Sequence, residues 1–197
     1  MFTVNRIMKT QKGFSLIETM VALLIICIGI LGLVALQGRA VQYANENAQR
    51  NNAAMLANDL IELMRSNRSA LIDGDGLLRN ASSYYKAAGS SFPTAQTTAC
   101  LDGTGCTADQ MATTQLAQWT QQVRNSLPLD STLSLLKNQY VICRTDNPSD
   151  EDAPCSGTGS SVLIQIAWLG KDTCPSGENC TALDSNRREF YRVSFQP

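Results

Sequence analysis

Cysteine is the residue type whose number and spacing in this chain most clearly indicate chemistry. The chain has seven cysteines, and one of them, Cys27, lies in a long apolar run, where a thiol behaves as a small hydrophobic group. The others lie in a polar region: Cys100, Cys106, Cys143, Cys155, Cys174 and Cys180. An even set of cysteines in a polar region indicates disulfides that form in an oxidising compartment.

The pairing of these cysteines is left open by the sequence, because six cysteines can combine in many ways. Residues 101–105 and 175–179 have the composition of turns, and a turn brings the cysteines on either side of it together. We therefore predict pairing between neighbours. The predicted pairs are Cys100 with Cys106, Cys143 with Cys155, and Cys174 with Cys180.

Histidine is absent from the chain, and this limits the chemistry that the remaining residues can perform. Without histidine there is no Ser-His or Cys-His nucleophile, and zinc binding is disfavoured because no Cys-x-x-Cys spacing occurs either. The 197 residues carry a formal net charge of −1, so no basic surface for nucleic acid is expected. The sequence predicts no catalytic residue, no metal site and no cofactor.

The N-terminal region has the organisation of a membrane-inserted segment. Arg6, Lys9 and Lys12 precede an apolar run from Phe14 to Leu36. As a helix this run would be about 35 Å long, which is sufficient to cross a bilayer. Basic residues before an apolar run stay on the cytoplasmic side, so the polar remainder is predicted to lie outside the cytoplasm. No small-x-small cleavage site follows, so we expect the run to stay in the mature protein.

Glu18 is the one acidic residue in this run. A charge at the bilayer centre costs about 2.5–3.5 kcal/mol on insertion scales, so such a residue usually has a partner. Near the helix end the carboxylate could instead reach the membrane surface, and the residue alone leaves this alternative open. A new α-amino group at Phe14 would lie one helical turn from Glu18, on the same chain or on a neighbour.

The apolar run begins with a motif that resembles the processing signal of the type IV pilin family: Lys12-Gly13-Phe14-Ser15-Leu16-Ile17-Glu18. The resemblance implies that a prepilin peptidase cleaves after Gly13 and that the new N-terminal residue, Phe14, is N-methylated. It also implies that Glu18 pairs with the amine of a neighbouring subunit during fibre assembly.

Residues 22–33 and 56–68 narrow the resemblance to minor pilins, the low-abundance subunits of the type IV pilus. Such subunits reside in the inner membrane with a periplasmic head, and later in the extracellular fibre. The partners implied are other minor pilins, the major pilin and an adhesin at the tip, and the roles implied are pilus biogenesis, twitching motility and adhesion. A pseudopilin of a type II secretion system has the same signal and stays an alternative, as does a signal-anchored periplasmic enzyme or binding domain.

Helix signals occur in two parts of the chain, from Phe14 to about Arg68 and from Thr107 to Pro128. A helix is predicted to continue to about Arg68, with a semi-apolar stripe along one face: Val41, Ala44, Ala48, Asn52, Leu56, Leu60 and Leu63. Residues 73–76 predict a turn, and residues 77–106 predict an irregular loop that includes a short helix around residues 82–88. Thr107 and Gln110 fit a capping box for a second helix that Pro128 closes, with Trp119 as a core anchor.

Strand signals appear late, in residues 139–144, 162–168 and 188–195. They predict an α+β fold with a small C-terminal antiparallel sheet packed on the first helix and stapled by disulfides. The predicted segments are a cleaved leader (1–13), a transmembrane helix (14–36), its continuation (37–69) and an α+β head (70–197). Residues 146–152 form an acidic loop that is predicted to be solvated, with weak calcium binding as the alternative.

Overall fold

The computed structural model describes residues 13, 15–149, 155–170 and 188–197. The chain divides into two units, Met1–Asn45 and Glu46–Pro197, and the division falls within the first helix. The described elements are, in chain order, α1 (Leu16–Ser66), a 3-10 turn (Arg68–Ala70), α2 (Thr98–Leu101), α3 (Ala108–Ser126), α4 (Ser134–Asn138), β1 (Val141–Thr145), β2 (Ser161–Leu169) and β3 (Arg188–Phe195).

The first unit consists, in its described part, of a helix with no core of its own. Every described residue from Ser15 to Asn45 is exposed. The helix is long and apolar enough to cross a membrane, and none of its most apolar stretch is buried. The predicted end of the helix near Arg68 agrees with the observed end at Ser66.

The second unit buries one face of α1 in its hydrophobic core. The buried positions recur at steps of three and four residues: Ala53, Leu56, Ala57, Leu60, Ile61 and Met64. Burial of Leu56 and Leu60 confirms their predicted role as core contacts, and Leu63 packs against the same core. At the start of the predicted stripe, Val41 is 65% exposed and belongs to the first unit.

The sheet has the strand order β1-β2-β3, and both pairs are antiparallel. Ile164 on the central strand lies opposite Ile142 on β1 and Val193 on β3. Seven consecutive residues of β2 are buried, as expected for a central strand covered on both faces. The three strands confirm the predicted C-terminal antiparallel sheet and, with the helices, the predicted α+β class.

The start of α3 confirms the predicted capping box. The Gln110 amide donates to Thr107 Oγ1 over 3.2 Å, and the Thr107 amide donates to Gln110 Oε1 over 2.9 Å. Trp119 on this helix is 1% exposed and contacts Phe92 and Tyr140, with ring centroids 5.8 and 6.3 Å away. Trp119 is therefore the core anchor that its helical position predicts.

The segment 82–88 is not a helix, contrary to the sequence-based expectation. The Lys86 amide donates to the Ile142 carbonyl over 2.8 Å, and the Ile142 amide donates back over 2.9 Å. The Ser82 hydroxyl donates to the Ala70 carbonyl over 2.6 Å, which fixes the start of the segment. Pairing with β1 therefore outweighs the local helical preference. The turn at 73–76 is present, with the Gly76 amide donating to the Asp73 carbonyl.

Two disulfides close loops of the second unit. Cys100 and Cys106 have Cα atoms 5.2 Å apart, and Cys143 and Cys155 have Cα atoms 5.7 Å apart. These are two of the three predicted neighbour pairs. The third, Cys174 with Cys180, lies outside the described residues. Cys27 is a free, exposed thiol.

Candidate processing and assembly site

The sequence motif with the clearest chemistry lies at the start of α1. Gly13 is exposed and outside the helix, and the Ser15 carbonyl accepts hydrogen bonds from the amides of Glu18 and Thr19. The Thr19 hydroxyl donates to the Leu16 carbonyl over 2.8 Å, which stabilises the first turn. Phe14 lies outside the described residues. A Cβ at Gly13 would meet no atom within 4 Å, so nothing in the described fold requires glycine at this position.

Glu18 lies in the first turn of α1, where the helix dipole favours a negative charge. Its side chain is exposed. The described residues form two ion pairs, Arg65 with Glu62 and Arg79 with Asp109, and neither includes Glu18. Within the described chain the carboxylate therefore has no basic partner.

Large apolar side chains cover the helix that follows. Leu16, Ile17 and Leu31 are 78%, 70% and 70% exposed, and similar residues continue along the first unit. A continuous exposed apolar surface of this length needs lipid or other apolar chains around it. The apolar surface of the first unit therefore requires lipid or apolar segments of other chains around it.

The second unit contains one buried cationic side chain, that of Lys86, among the described residues. Its ammonium donates to the carbonyls of Lys137 and Tyr140, each over 2.8 Å, and of Ala87 over 3.1 Å. It also lies 5.1 Å from the centroid of the Phe92 ring. Burial lowers the pKa of Lys86 to about 8. The side chain joins the 86–87 segment to the end of α4 and the start of β1.

Asp130 is a buried acid that organises the start of α4. Its carboxylate accepts hydrogen bonds from the amides of Ser134 and Leu135, over 2.8 and 2.9 Å, and from the hydroxyls of Thr132 and Ser134. Burial on its own would raise the pKa of Asp130. The hydrogen bonds together lower it by more, so the pKa falls to about 2. The Asp130 carboxylate therefore caps the start of α4.

A third polar cluster joins α1 to α3 through Tyr84. The Tyr84 hydroxyl contacts the Gln115 side chain and the Leu63 carbonyl, and the Asn67 amide reaches both that hydroxyl and the Ala108 carbonyl. Burial raises the pKa of Tyr84 to about 12. Among the described residues no group of three or more His, Cys, Asp or Glu side chains could hold a metal ion.

Lys86 and Asp130 are the two buried charged residues in the described part of the chain, and the sequence analysis identified neither. No local signal marks Lys86, because two of its partners are the carbonyls of Lys137 in α4 and of Tyr140 just before β1. Asp130 had a usable signal: an Asp followed by Ser and Thr residues just before an apolar pair is typical of a helix start.

Two protein-family models match consecutive parts of the chain. The prokaryotic N-terminal methylation motif matches residues 8–34, and the family described as type IV pilin Tt1218 matches residues 35–117. No curated protein and no solved structure matches the chain at a significant level. The matches agree with the long apolar helix, the small antiparallel sheet and the disulfides, and the chain belongs to the type IV pilin family.

Membership in this family gives the chain a structural role, because type IV pilins are fibre subunits. The methylation motif implies processing by a prepilin peptidase and assembly with other pilins. The exposed apolar helix of the first unit fits membrane anchoring and a place in a pilus.

Proposed function

We propose that the chain is a minor pilin of the PilV kind, a low-abundance subunit that enters the type IV pilus and helps to prime its assembly. The observation that carries the proposal is the spacing of Gly13, Phe14 and Glu18 at the head of an exposed apolar helix. The sequence of residues 56–68, at the end of α1, supports the PilV assignment. The protein has no catalytic role in this proposal.

Processing occurs between Gly13 and Phe14 on the cytoplasmic face of the inner membrane. Arg6, Lys9 and Lys12 hold this end in the cytoplasm, so the head lies in the periplasm before assembly. The absence of a steric need for glycine supports a role for Gly13 in recognition by the peptidase. Residues 1–13 are the leader, 14–36 the membrane and fibre-core helix, 37–69 its continuation and 70–197 the head.

Assembly transfers the helix from lipid to the fibre, where Glu18 meets the methylated amine of Phe14 on a neighbouring subunit. The lack of a basic partner for Glu18 within the described chain supports this role, since a carboxylate in an apolar setting requires one. Proposed partners are other minor pilins, the major pilin and a tip adhesin. The finished fibre is extracellular.

Processing is tested by co-expression with a prepilin peptidase and mass spectrometry of the product. We expect a chain that begins with N-methylated Phe14. Gly13→Leu should leave the leader in place, while Gly29→Leu, at another glycine with no atom near its Cβ, should be cleaved normally. An intact Met1, or a cut beyond the apolar run, would contradict the proposal and favour an anchored enzyme or binding domain.

Assembly is tested by counting this subunit in purified fibres. Glu18→Gln should reduce incorporation at least tenfold, while Glu46→Gln, an exposed acid further along α1, should not. Normal incorporation of the Glu18 variant would refute the proposed pairing. Deletion of the gene distinguishes a pilin from a pseudopilin. Loss of pili and twitching indicates a pilin, and loss of exoprotein secretion with intact pili indicates a pseudopilin.

A further inference from the structure

A concavity of about 210 Å³ lies between α3, α4 and residues 91–94 of the second unit. Ser91, Thr94 and Gln121 line it, and their side chains make no hydrogen bond within the described residues. By contrast, the hydroxyls of Thr120 and Thr132, which line the same concavity, donate within the fold, to the Leu116 carbonyl and to the Asp130 carboxylate. The concavity therefore contains polar groups that are available to a ligand.

Two cations lie at the same concavity, Arg124 on α3 and Lys137 on α4. Both side chains are exposed, and neither takes part in the two ion pairs of the described residues. Two unpaired positive charges that face one small volume favour an anion there, because a bound negative charge relieves their repulsion. Asp130, the acid of the adjoining turn, does not line the concavity and is occupied by the cap of α4.

The apolar side of the concavity includes Ala117, Leu133 and Leu136. Leu133 has a φ of 55°, and it is the one non-glycine residue with positive φ among those described. A left-handed leucine is a strained conformation that the surrounding structure must hold in place. The Leu133 amide donates to the Asp130 carbonyl over 3.0 Å, so the turn that caps α4 also fixes this side of the concavity.

We propose that this concavity binds one carboxylated sugar unit of the uronic acid type. The carboxylate lies between Arg124 and Lys137, and the C–H face of the ring packs on Leu133 and Leu136. The sugar hydroxyls pair with Ser91, Thr94 and Gln121, because hydroxyl and amide groups both donate and accept hydrogen bonds. An acidic protein side chain would use the two cations but leave these polar groups unmatched, so the lining favours the sugar.

Calorimetric titration of the full chain in detergent with D-glucuronic acid tests this site. We expect glucuronic acid to bind at least tenfold more tightly than D-glucose, which has the same ring without the carboxylate. The double variant Arg124→Gln/Lys137→Gln should abolish this preference. Arg50→Gln, an exposed arginine on α1, should leave it unchanged. Near-ultraviolet circular dichroism establishes that each variant is folded.

Three outcomes would overturn the inference. The first is equal binding of glucose and glucuronic acid, or no binding of either. The second is a preference for glucuronic acid that survives in the folded double variant. The third is tighter binding of an acidic peptide than of the sugar, which would identify a protein partner instead. Fibre incorporation is measured separately, so failure of sugar binding leaves the proposed pilin function untouched.

Discussion

The indole nitrogen of Trp119 donates a hydrogen bond to the backbone carbonyl of Leu56 over 2.8 Å. The two residues lie on α3 and α1, and both side chains are buried. The Leu56 carbonyl also belongs to a continuous helix, so the indole adds a second bond to an acceptor that has two lone pairs. This contact fixes the position of α3 on the part of α1 that belongs to the second unit.

Replacement of this contact should measurably weaken the second unit. Trp119→Phe removes the hydrogen bond and leaves a small cavity, so the free energy of unfolding should fall by about 2–4 kcal/mol. Urea denaturation followed by near-ultraviolet circular dichroism measures the change. Gln118→Ala, at the exposed neighbouring position, should change it by less than about 0.5 kcal/mol. If Trp119→Phe also lowered the free energy of unfolding by less than about 0.5 kcal/mol, the contact would not be important for stability.

Lys86 should make the second unit more stable as the pH rises above neutral. Burial lowers the pKa in the folded state to about 8, from 10.5 for an unperturbed lysine. Between these values the unfolded chain holds the proton and the folded chain does not, so raising the pH favours the folded state. The free energy of unfolding should rise by an amount on the order of 1–3 kcal/mol. Above pH 10 the raised pKa of Tyr84 acts in the opposite direction.

Denaturation at pH 7.5, 8.5 and 9.5 tests this prediction, in a Cys27→Ser background that avoids thiol exchange. The rise should disappear in Lys86→Met, which keeps the apolar stem but has no ammonium. Lys137→Met, an exposed lysine, should retain the rise. A flat profile in the parent chain, or an unchanged slope in Lys86→Met, would contradict the assignment.

Asp130 should determine how the free energy of unfolding of the second unit decreases at low pH. Hydrogen bonds hold the pKa of Asp130 at about 2 in the folded state, below the unperturbed value of 3.8. Its stabilising contribution is therefore complete above pH 3.8 and is lost as the pH falls through 2. At pH 7, Asp130→Asn should cost about 1–3 kcal/mol, because an amide cannot accept all the hydrogen bonds of the carboxylate.

The cost of Asp130→Asn should shrink as the pH falls toward 2, where the parent carboxyl is itself protonated. Asp59→Asn, at an exposed position on α1, serves as the control and should cost little at any pH. A cost of Asp130→Asn that does not change between pH 5 and pH 2 would show that hydrogen bonding to the charged form is not its cause.

The two disulfides should contribute unequally to stability. Cys143 and Cys155 are separated by 12 residues, and Cys100 and Cys106 by 6. In the loop-entropy picture each bond contributes about 2–4 kcal/mol, and doubling the loop adds about 0.6 kcal/mol. Denaturation of the two double-serine variants should therefore show a larger loss for Cys143→Ser/Cys155→Ser. The reverse order would show that native packing around the loops dominates.

Local patterns were enough to predict α1, α3 and the three strands. The apolar periodicity of α1, the capping box at Thr107 and the aromatic and β-branched run of β3 act over neighbouring residues, and each was found where the sequence placed it. The segment around Lys86 could not be predicted this way, because its conformation depends on pairing with Ile142 in another element. The five-residue α4 begins after a left-handed Leu133, which no propensity scale favours.

The proposed functional residues divide in the same way. Gly13 and Glu18 could be proposed from the sequence because the processing signal is a short linear motif. The concavity that joins Arg124 to Lys137 was not evident, because its two cations lie on different helices. Nothing in either local sequence distinguishes these residues from ordinary surface charges.

The ammonium of Lys86 is solvated by carbonyl oxygens within 3.1 Å and by no carboxylate among the described residues. Dissolved salt weakens attraction between exposed opposite charges, but it has little access to a buried charge that interacts with neutral dipoles. These hydrogen bonds join the 86–87 segment to α4 and to the residue before β1. Their contribution to stability should therefore change little with ionic strength. Such a contact would suit the proposed place of this unit in an extracellular fibre, where the surroundings set the salinity.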